Sequence, residues 1–338
     1  MIQVEHLTKK YGDRTVVSDV GFHVKKGEII GFLGPNGAGK TTTLRMLTGY
    51  LAPEEGTILI DGINAVDDPV AARKRIGYMP ETVPLYKELR VEEYLRYRAR
   101  LKEISRKQLR NRVESAMEMA RITDVRTRII GQLSRGYRSR VGLAEAIVAD
   151  PPLLILDEPT AGLDPNQIRQ VRNLIKEMAG RTTILLSTHI LPEVESTCGR
   201  VLIIHRGKLV GEDIPGDLRN KGQSGQLLML EGRGNEERFV SVLRKVAGVR
   251  RVVEIAPLQD DPSAPLMRVR VETDPSPEIS EAVFEAVAAA GLKLRELHRE
   301  QTSLEDVFAA LTTEEQNQEE SQGSKEEEAV GEGQGEVR

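Results

Sequence analysis

A single cysteine, Cys198, and no tryptophan occur in this chain of 338 residues. One thiol excludes an intramolecular disulfide and any zinc cluster built on several cysteines, so Cys198 reads as a buried bystander. Aromatic residues make up only 4% of the chain, which requires an aliphatic core. The sequence also lacks any run of about 18 or more apolar residues, so no membrane-spanning helix is expected. Its first residues, MIQVEHLTKKYG, have neither the apolar core nor the cleavage site of a secretory signal, and the protein is expected to stay in the cytoplasm. The net charge of −4, with a pI near 5.9, offers no general attraction to nucleic acid, and no nucleic-acid partner is expected.

That average hides an uneven layout. Residues 312–338 hold nine Glu against Lys325 and Arg338, a net of −7, so the remaining chain carries +3. This last stretch has no core-forming residues and reads as an acidic, disordered tail. The chain is longer than one compact core usually takes, and two folded units are expected before the tail. Over residues 1–220, short β-type runs alternate with helical stretches, the pattern of an α/β domain with a largely parallel sheet. GEIIGFLG, LLILD and TTILLSTH are its clearest buried strands, being short, rich in Ile and Leu, and bounded by turn residues.

Within this first domain, residues 88–125 read as helical, with Tyr94, Leu95, Leu101, Ile104 and Leu109 near helical spacing. They belong to an inserted helical subdomain of about 85–150. From Arg90 to Arg112 there are nine Lys or Arg against three Glu. Such a run usually forms a solvated helix face, and the alternative is a surface for anionic lipid or a partner loop. KGQSGQ, Lys221 to Gln226, reads as a flexible joint. Residues 227–311 then follow a β-α-β-β-α-β order that fits a ferredoxin-like sandwich, and Leu304, Val307, Phe308 and Leu311 form one apolar helical stripe near its end.

Gly34 to Thr41, GPNGAGKT, matches the phosphate-binding pattern G-x-x-x-x-G-K-[ST], follows an apolar strand and leads into the helical run TTTLRML. Glycines let the backbone curl so that consecutive N–H groups face phosphate oxygens, and the following helix adds its positive end. The candidate ATP-binding set here is Gly34, Pro35, Asn36, Gly37, Ala38, Gly39, Lys40, Thr41 and Thr42. Lys40 is expected across the β- and γ-phosphates, with the Thr41 hydroxyl on Mg²⁺. LLILDEP puts Asp157 at a strand end, where it can hold Mg²⁺, and Glu158 beside it as the candidate general base. His189, in LSTHIL after another buried strand, is a candidate sensor of the γ-phosphate. Taken alone, a His at a strand end is more often structural.

Together these motifs make the chain resemble the nucleotide-binding subunits of ATP-binding-cassette (ABC) transporters across residues 1 to about 215. The resemblance implies a P-loop cassette: a mostly parallel core sheet with an N-terminal antiparallel β layer and the inserted helical subdomain. Tyr11, in KKYGDRTVV, matches the aromatic residue that stacks on adenine. LSRGY, Leu133 to Tyr137, stands in the place of the signature LSGGQ. It keeps Ser134 and Gly136, while Arg135 and Tyr137 depart from the pattern. Glu81, in RIGYMPE, stands where the family usually has Gln and is read as its equivalent near Mg²⁺ and the attacking water. Asp164, in AGLDP, matches the loop that crosses to a second subunit. A head-to-tail homodimer holding two ATP, and a separate integral membrane permease, are the partners implied. The subunit would then lie peripherally on the inner face of the cell membrane.

The branch that the chain resembles most is that of ABC-2 type exporters, including gliding-motility and drug or polysaccharide export members. They tend to carry an extra C-terminal domain like residues 227–311. Two other functions compete. A cassette ATPase acting on nucleic acid or ribosomes would use the same chemistry, but a single P-loop, one Cys and the acidic pI argue against it. A module that holds ATP without cleaving it would fit the departures at Glu81, Arg135 and Tyr137, but Lys40, Asp157, Glu158 and His189 are all retained.

Overall fold

The structure, a computed structural model, describes residues 1–215, 226–259, 266–274, 276 and 278–300. Of the expected joint Lys221 to Gln226, only Gln226 is described, in a strand; the rest of it, the stripe Leu304 to Leu311 and the acidic tail lie outside the described residues. Within the described chain one compact unit falls inside residues 1–215 and a second inside 226–300.

The first unit has at its centre a six-stranded sheet in the order β10-β9-β3-β8-β7-β6. Its middle strands are β3 (Ile29–Leu33), β7 (Leu153–Asp157) and β8 (Thr183–Thr188), in which every residue is buried. That is the burial expected of parallel strands covered on both faces. β6 (Ile76–Met79) pairs parallel with β7, and β9 (Arg200–His205) pairs parallel with β3. The antiparallel β10 (Lys208–Asp213) is joined to β9 by Arg206 and Gly207, both at positive φ, as a two-residue hairpin turn requires. A second, antiparallel sheet has the order β2-β1-β4-β5, formed by β1 (Ile2–Tyr11), β2 (Arg14–Val24), β4 (Glu55–Ile60) and β5 (Ile63–Asn64). One core joins the two sheets: Val17, Val20 and Phe22 of β2 pack with Phe32 of β3 and with Leu44 and Leu47 of α1 (Lys40–Leu47). α2 (Pro69–Lys74) connects β5 to β6.

The helical part comprises α3 (Val91–Leu101), α4 (Arg106–Met119), two short 3-10 turns and α5 (Arg135–Ile147). Tyr94 and Leu95 are buried as expected, but Leu101 is 57% exposed. α3 stops there and the chain reverses through Glu103 at positive φ, so the helical spacing does not run on to Ile104 and Leu109. Several of the cations between Arg90 and Arg112 are spent within the chain. Arg96 pairs with Glu92, Arg98 with Glu145 and Arg112 with Asp150, while Lys102 donates to the Glu145 carbonyl at 2.9 Å. Burial pulls the Lys102 pKa down to about 8, against the raising effect of Glu145. α6 (Pro165–Glu177) and α7 (Leu191–Thr197) complete the unit. Cys198 is buried, and burial pushes its thiol pKa up to about 12.

The second unit follows the order β11 (Gln226–Arg233), α8 (Glu236–Leu243), β12 (Val249–Gln259), β13 (Leu266–Thr273), α9 (Ile279–Ala289), β14 (Lys293–Glu300). Its sheet, β12-β13-β11-β14, is antiparallel throughout, the ferredoxin-like arrangement. Leu228, Leu230, Val269 and Val271 pack with Phe239 and Val283 of the two helices. The alternate residues carry cross-strand ion pairs, Arg268 with Glu231 and Arg251 with Glu272, as a half-solvated antiparallel sheet allows.

Candidate active site

The phosphate-binding loop leaves the buried end of β3 at Leu33 and enters α1 at Lys40. Gly39 caps α1 at φ 105°, a left-handed value that an L side chain rarely adopts, and a Cβ there would lie 2.8 Å from the Val16 carbonyl oxygen. A Cβ on Gly34 would fall 2.4 Å from the Ile204 carbonyl oxygen. The loop is thus pressed between β2 and β9, and only bare backbone fits at both points. Nothing acidic occupies the first turn of α1, so its positive end is left for an anion. Lys40 folds back over the loop, and its Nζ donates to the Gly34 carbonyl at 2.7 Å and the Pro35 carbonyl at 3.1 Å. Thr41 and Thr42 are half-buried, while Asn36 and Gly37 are exposed at the tip.

Asp157 ends β7, opposite Ser187 of β8 in the parallel register, and is only 1% exposed. Neither of its carboxylate oxygens has a well-aligned hydrogen bond among the described residues. Burial raises its pKa; the neighbouring Ser187 and Thr41 hydroxyls oppose that rise, and the charges of Glu158 and Glu81 add to it. An orphaned buried carboxylate beside the Thr41 hydroxyl, both of them hard oxygen donors, fits a Mg²⁺ ion. Among the described residues no three His, Cys, Asp or Glu side chains form a metal site by themselves. Glu81 is exposed just beyond β6 and lines, with Thr41 and Asp157, a cavity of about 390 Å³.

Glu158 follows Asp157 at φ 48°, a strained position for a residue with a side chain, held by its N–H on the Ser187 carbonyl at 3.0 Å. Its carboxylate lies between two partners. Oε1 is 3.5 Å from Lys40 Nζ and Oε2 is 3.0 Å from His189 Nδ1. The structure therefore brings together Lys40 from the start of α1, Glu158 from the end of β7 and His189 from the end of β8, with Thr41 and Asp157 alongside. Tyr11 stands at the end of β1 with its ring 50% exposed and Lys9 Nζ at 5.8 Å from the ring centre. Its β1–β2 hairpin reaches the loop through Val16, beneath Gly39.

Ser134, Gly136 and Asp164 form a second group, at the N-termini of α5 and α6. Ser134 Oγ caps α5 by accepting from Tyr137 N–H, and Asp164 caps α6 by accepting from the N–H groups of Asn166 and Gln167. Gly136 lies against the Gln167 side chain and the Arg135 guanidinium lies over Gly162, so the two loops touch within one chain. Tyr137 turns away from this face, its hydroxyl donating to Asp124 at 2.5 Å and its ring covered by Arg140. The contacts of Arg135 and Tyr137, and the part of Ser187, were not foreseen from sequence. In the sequence the signal for Ser187 was a hydroxyl inside the apolar run TTILLSTH, and its place opposite Asp157 comes from the parallel register.

Residues 17–161 match the family model described as "ABC transporter". Over 325 residues the chain is 34% identical to the Nod factor export ATP-binding protein I of Cupriavidus metallidurans, an alignment that spans 92% of this chain and 97% of that one. Among solved structures it is similar to one described as an ATP-binding subunit of an ABC transporter, with 34% identity, a TM-score of 0.61, and coverage of 65% of this chain and 92% of that chain. It is also similar, at 25% identity and TM-score 0.58, to the dimeric post-hydrolysis state of the ATP-binding cassette MJ0796 bound to ADP and Pi, over 63% of this chain and 98% of that chain. With this fold, this phosphate loop and these relatives, the chain belongs to the ABC transporter family as one of its ATP-binding subunits.

Proposed function

We propose that this subunit hydrolyses ATP with Glu158 as general base and uses the cycle to drive a separate integral membrane permease, in the exporter direction. The observation that carries the reading is the position of Glu158 between Lys40 and His189, next to the unpartnered Asp157. When ATP enters, Lys40 exchanges the Gly34 and Pro35 carbonyls and the Glu158 carboxylate for the β- and γ-phosphates. Glu158, released from Lys40 but still beside His189, then accepts a proton from water as the water oxygen attacks the γ-phosphorus and the bond to the ADP oxygen breaks. His189 holds Glu158 and reads the γ-phosphate. Thr41 and Asp157 would hold Mg²⁺, with Glu81 nearby, and the ion would neutralise charge on the phosphates. Tyr11 is the adenine platform.

Ser134, Gly136 and Asp164 are proposed to serve the second chain of a head-to-tail homodimer, in which each ATP lies between one phosphate loop and the other signature loop. The dimeric, ADP- and Pi-bound state described for MJ0796 supports such pairing. No helix among the described residues is long and apolar enough to cross a membrane, and the proposed partner is a separate permease. The export named for the Cupriavidus metallidurans relative supports the direction. Peripheral attachment to the inner face of the cell membrane, through that permease, follows. The ferredoxin-like unit over 227–311 is proposed to support dimerisation. The test is phosphate release from Mg-ATP by the purified chain, and identification of what co-purifies with it. A polytopic membrane protein is expected, and recovery of RNA or ribosomes instead would overturn the transport reading.

A further inference from the structure

Glu193 is an acid that the hydrolysis scheme does not use. It sits in the first turn of α7, four residues beyond His189, and is 1% exposed. Its Oε2 accepts a hydrogen bond from Thr188 Oγ1 at 2.8 Å. Its Oε1 faces Arg172 Nη2 of α6 at 3.4 Å and has no hydrogen bond of its own among the described residues. A buried carboxylate with one hydroxyl and one guanidinium beside it adds little to stability, and packing alone would be served as well by an apolar side chain of the same size.

The use of that charge lies in what it does to Thr188. This threonine is the last residue of β8, is 2% exposed, and directly precedes His189. Its Oγ1 also accepts from the Ile190 N–H at 3.0 Å. A hydroxyl has one proton to give and lone pairs to offer. With the proton committed to Glu193, the lone pairs are turned toward Ile190, and one side chain spans the backbone on both sides of His189. The imidazole held in that turn has its Nδ1 3.0 Å from Glu158 Oε2. Through Arg172 the same carboxylate reaches α6, the helix that starts at Asp164.

We propose that Glu193 is a positioning residue for the hydrolysis step: by taking the Thr188 proton it fixes the turn over residues 188–190 and aims His189 at Glu158 and the γ-phosphate. The proposal rests on the assignment of His189 to that step. An acid present only for packing would affect stability and nucleotide binding together. A positioning acid affects turnover through His189 and leaves ATP affinity alone.

The experiment measures single-turnover and steady-state ATP hydrolysis, ATP affinity and Tm for the full chain and its Glu193→Met, Glu193→Gln, Thr188→Val and His189→Ala variants, and for Glu193→Met combined with His189→Ala. Methionine keeps the volume but removes the acceptor, and glutamine keeps an acceptor for Thr188. Glu193→Met and Thr188→Val are each expected to slow hydrolysis about tenfold or more, as misaimed groups do, with KM for ATP within about twofold of the parent. Glu193→Gln is expected to restore most of the rate. On the His189→Ala background, Glu193→Met is expected to cost nothing further. A wild-type rate in both Glu193→Met and Thr188→Val, or a full further loss on the His189→Ala background, overturns the proposal. If His189→Ala is inactive and Glu193→Met hydrolyses ATP at the wild-type rate, only the positioning role fails. If His189→Ala itself hydrolyses ATP like the wild type, the assignment of His189 has failed and the proposal falls with it.

Discussion

Lys40 Nζ lies 3.5 Å from Glu158 Oε1, so the cation proposed to hold phosphate rests against the carboxylate proposed to activate water. Both side chains are nearly or largely buried, Lys40 at 5% and Glu158 at 13% exposure, where an unpaired charge is costly. Each charge of the pair offsets the other before nucleotide arrives. Lys40→Ala removes both the charge and the donors to the phosphates, and is expected to weaken ATP binding by at least about thirtyfold, as truncating one member of a buried charge pair does. Titration of a fluorescent ATP analogue measures it, and unchanged affinity would place the phosphates elsewhere.

Asp157 carries the opposite situation, a buried carboxylate with no cation paired to it among the described residues. Burial first, and then the charges of Glu158 and Glu81, raise its folded pKa above the unfolded value of 3.8. The folded state thus binds the proton more tightly. Stability tied to this group is fully present below the unfolded pKa and is lost as pH rises through the folded pKa. Asp157→Asn removes that loss. At pH 7 without Mg²⁺ or nucleotide it is expected to raise Tm by about 2–4 °C, while Mg²⁺-dependent hydrolysis disappears. The Tm gap to the wild type is expected to narrow as pH falls toward the ordinary carboxylate range. Calorimetry over that range, paired with a phosphate-release assay, checks both parts.

Tyr137 is one of the two departures in the signature loop. Its hydroxyl donates to Asp124 and its ring lies under Arg140, so it braces the helical part of its own chain. Tyr137→Phe is expected to lower stability by about 1 kcal/mol, the worth of one hydrogen bond, and to leave ATP turnover within about twofold. A large loss of turnover at unchanged Tm would move Tyr137 into the nucleotide site.

The ferredoxin-like unit offers a further test. A chain ending at residue 215 keeps every strand and helix described above for the first unit. It is expected to bind ATP with the affinity of the full chain and to dimerise more weakly, by about tenfold in concentration. Analytical ultracentrifugation with ATP measures this, and equal dimerisation would remove the proposed role of the unit.

Much of this architecture was legible in the sequence because its central strands are buried on both faces and therefore read as unbroken apolar runs, as in IIGFL and LLILD. The phosphate loop was legible because its glycines answer to backbone geometry, which a linear pattern can carry. What composition and spacing could not show were meetings set by tertiary packing. Lys40, Glu158 and His189 converge only because β3, β8 and β7 lie side by side in that order. The Thr188–Glu193–Arg172 chain joins a strand end to two helices, and Arg135 finds Gly162 across two loops. The exposure of Leu101 had the same origin: helical spacing continued past it, but a positive φ at Glu103 turned the chain away.

The central claim is that Glu158 activates water for ATP hydrolysis in a dimeric cassette, and Glu158→Gln tests it most directly. Hydrolysis and ATP-dependent dimerisation are measured together, by phosphate release and size-exclusion chromatography. The account predicts that the variant still binds ATP, loses at least about a hundredfold in turnover and accumulates as an ATP-bound dimer. Hydrolysis at the wild-type rate by Glu158→Gln would contradict it.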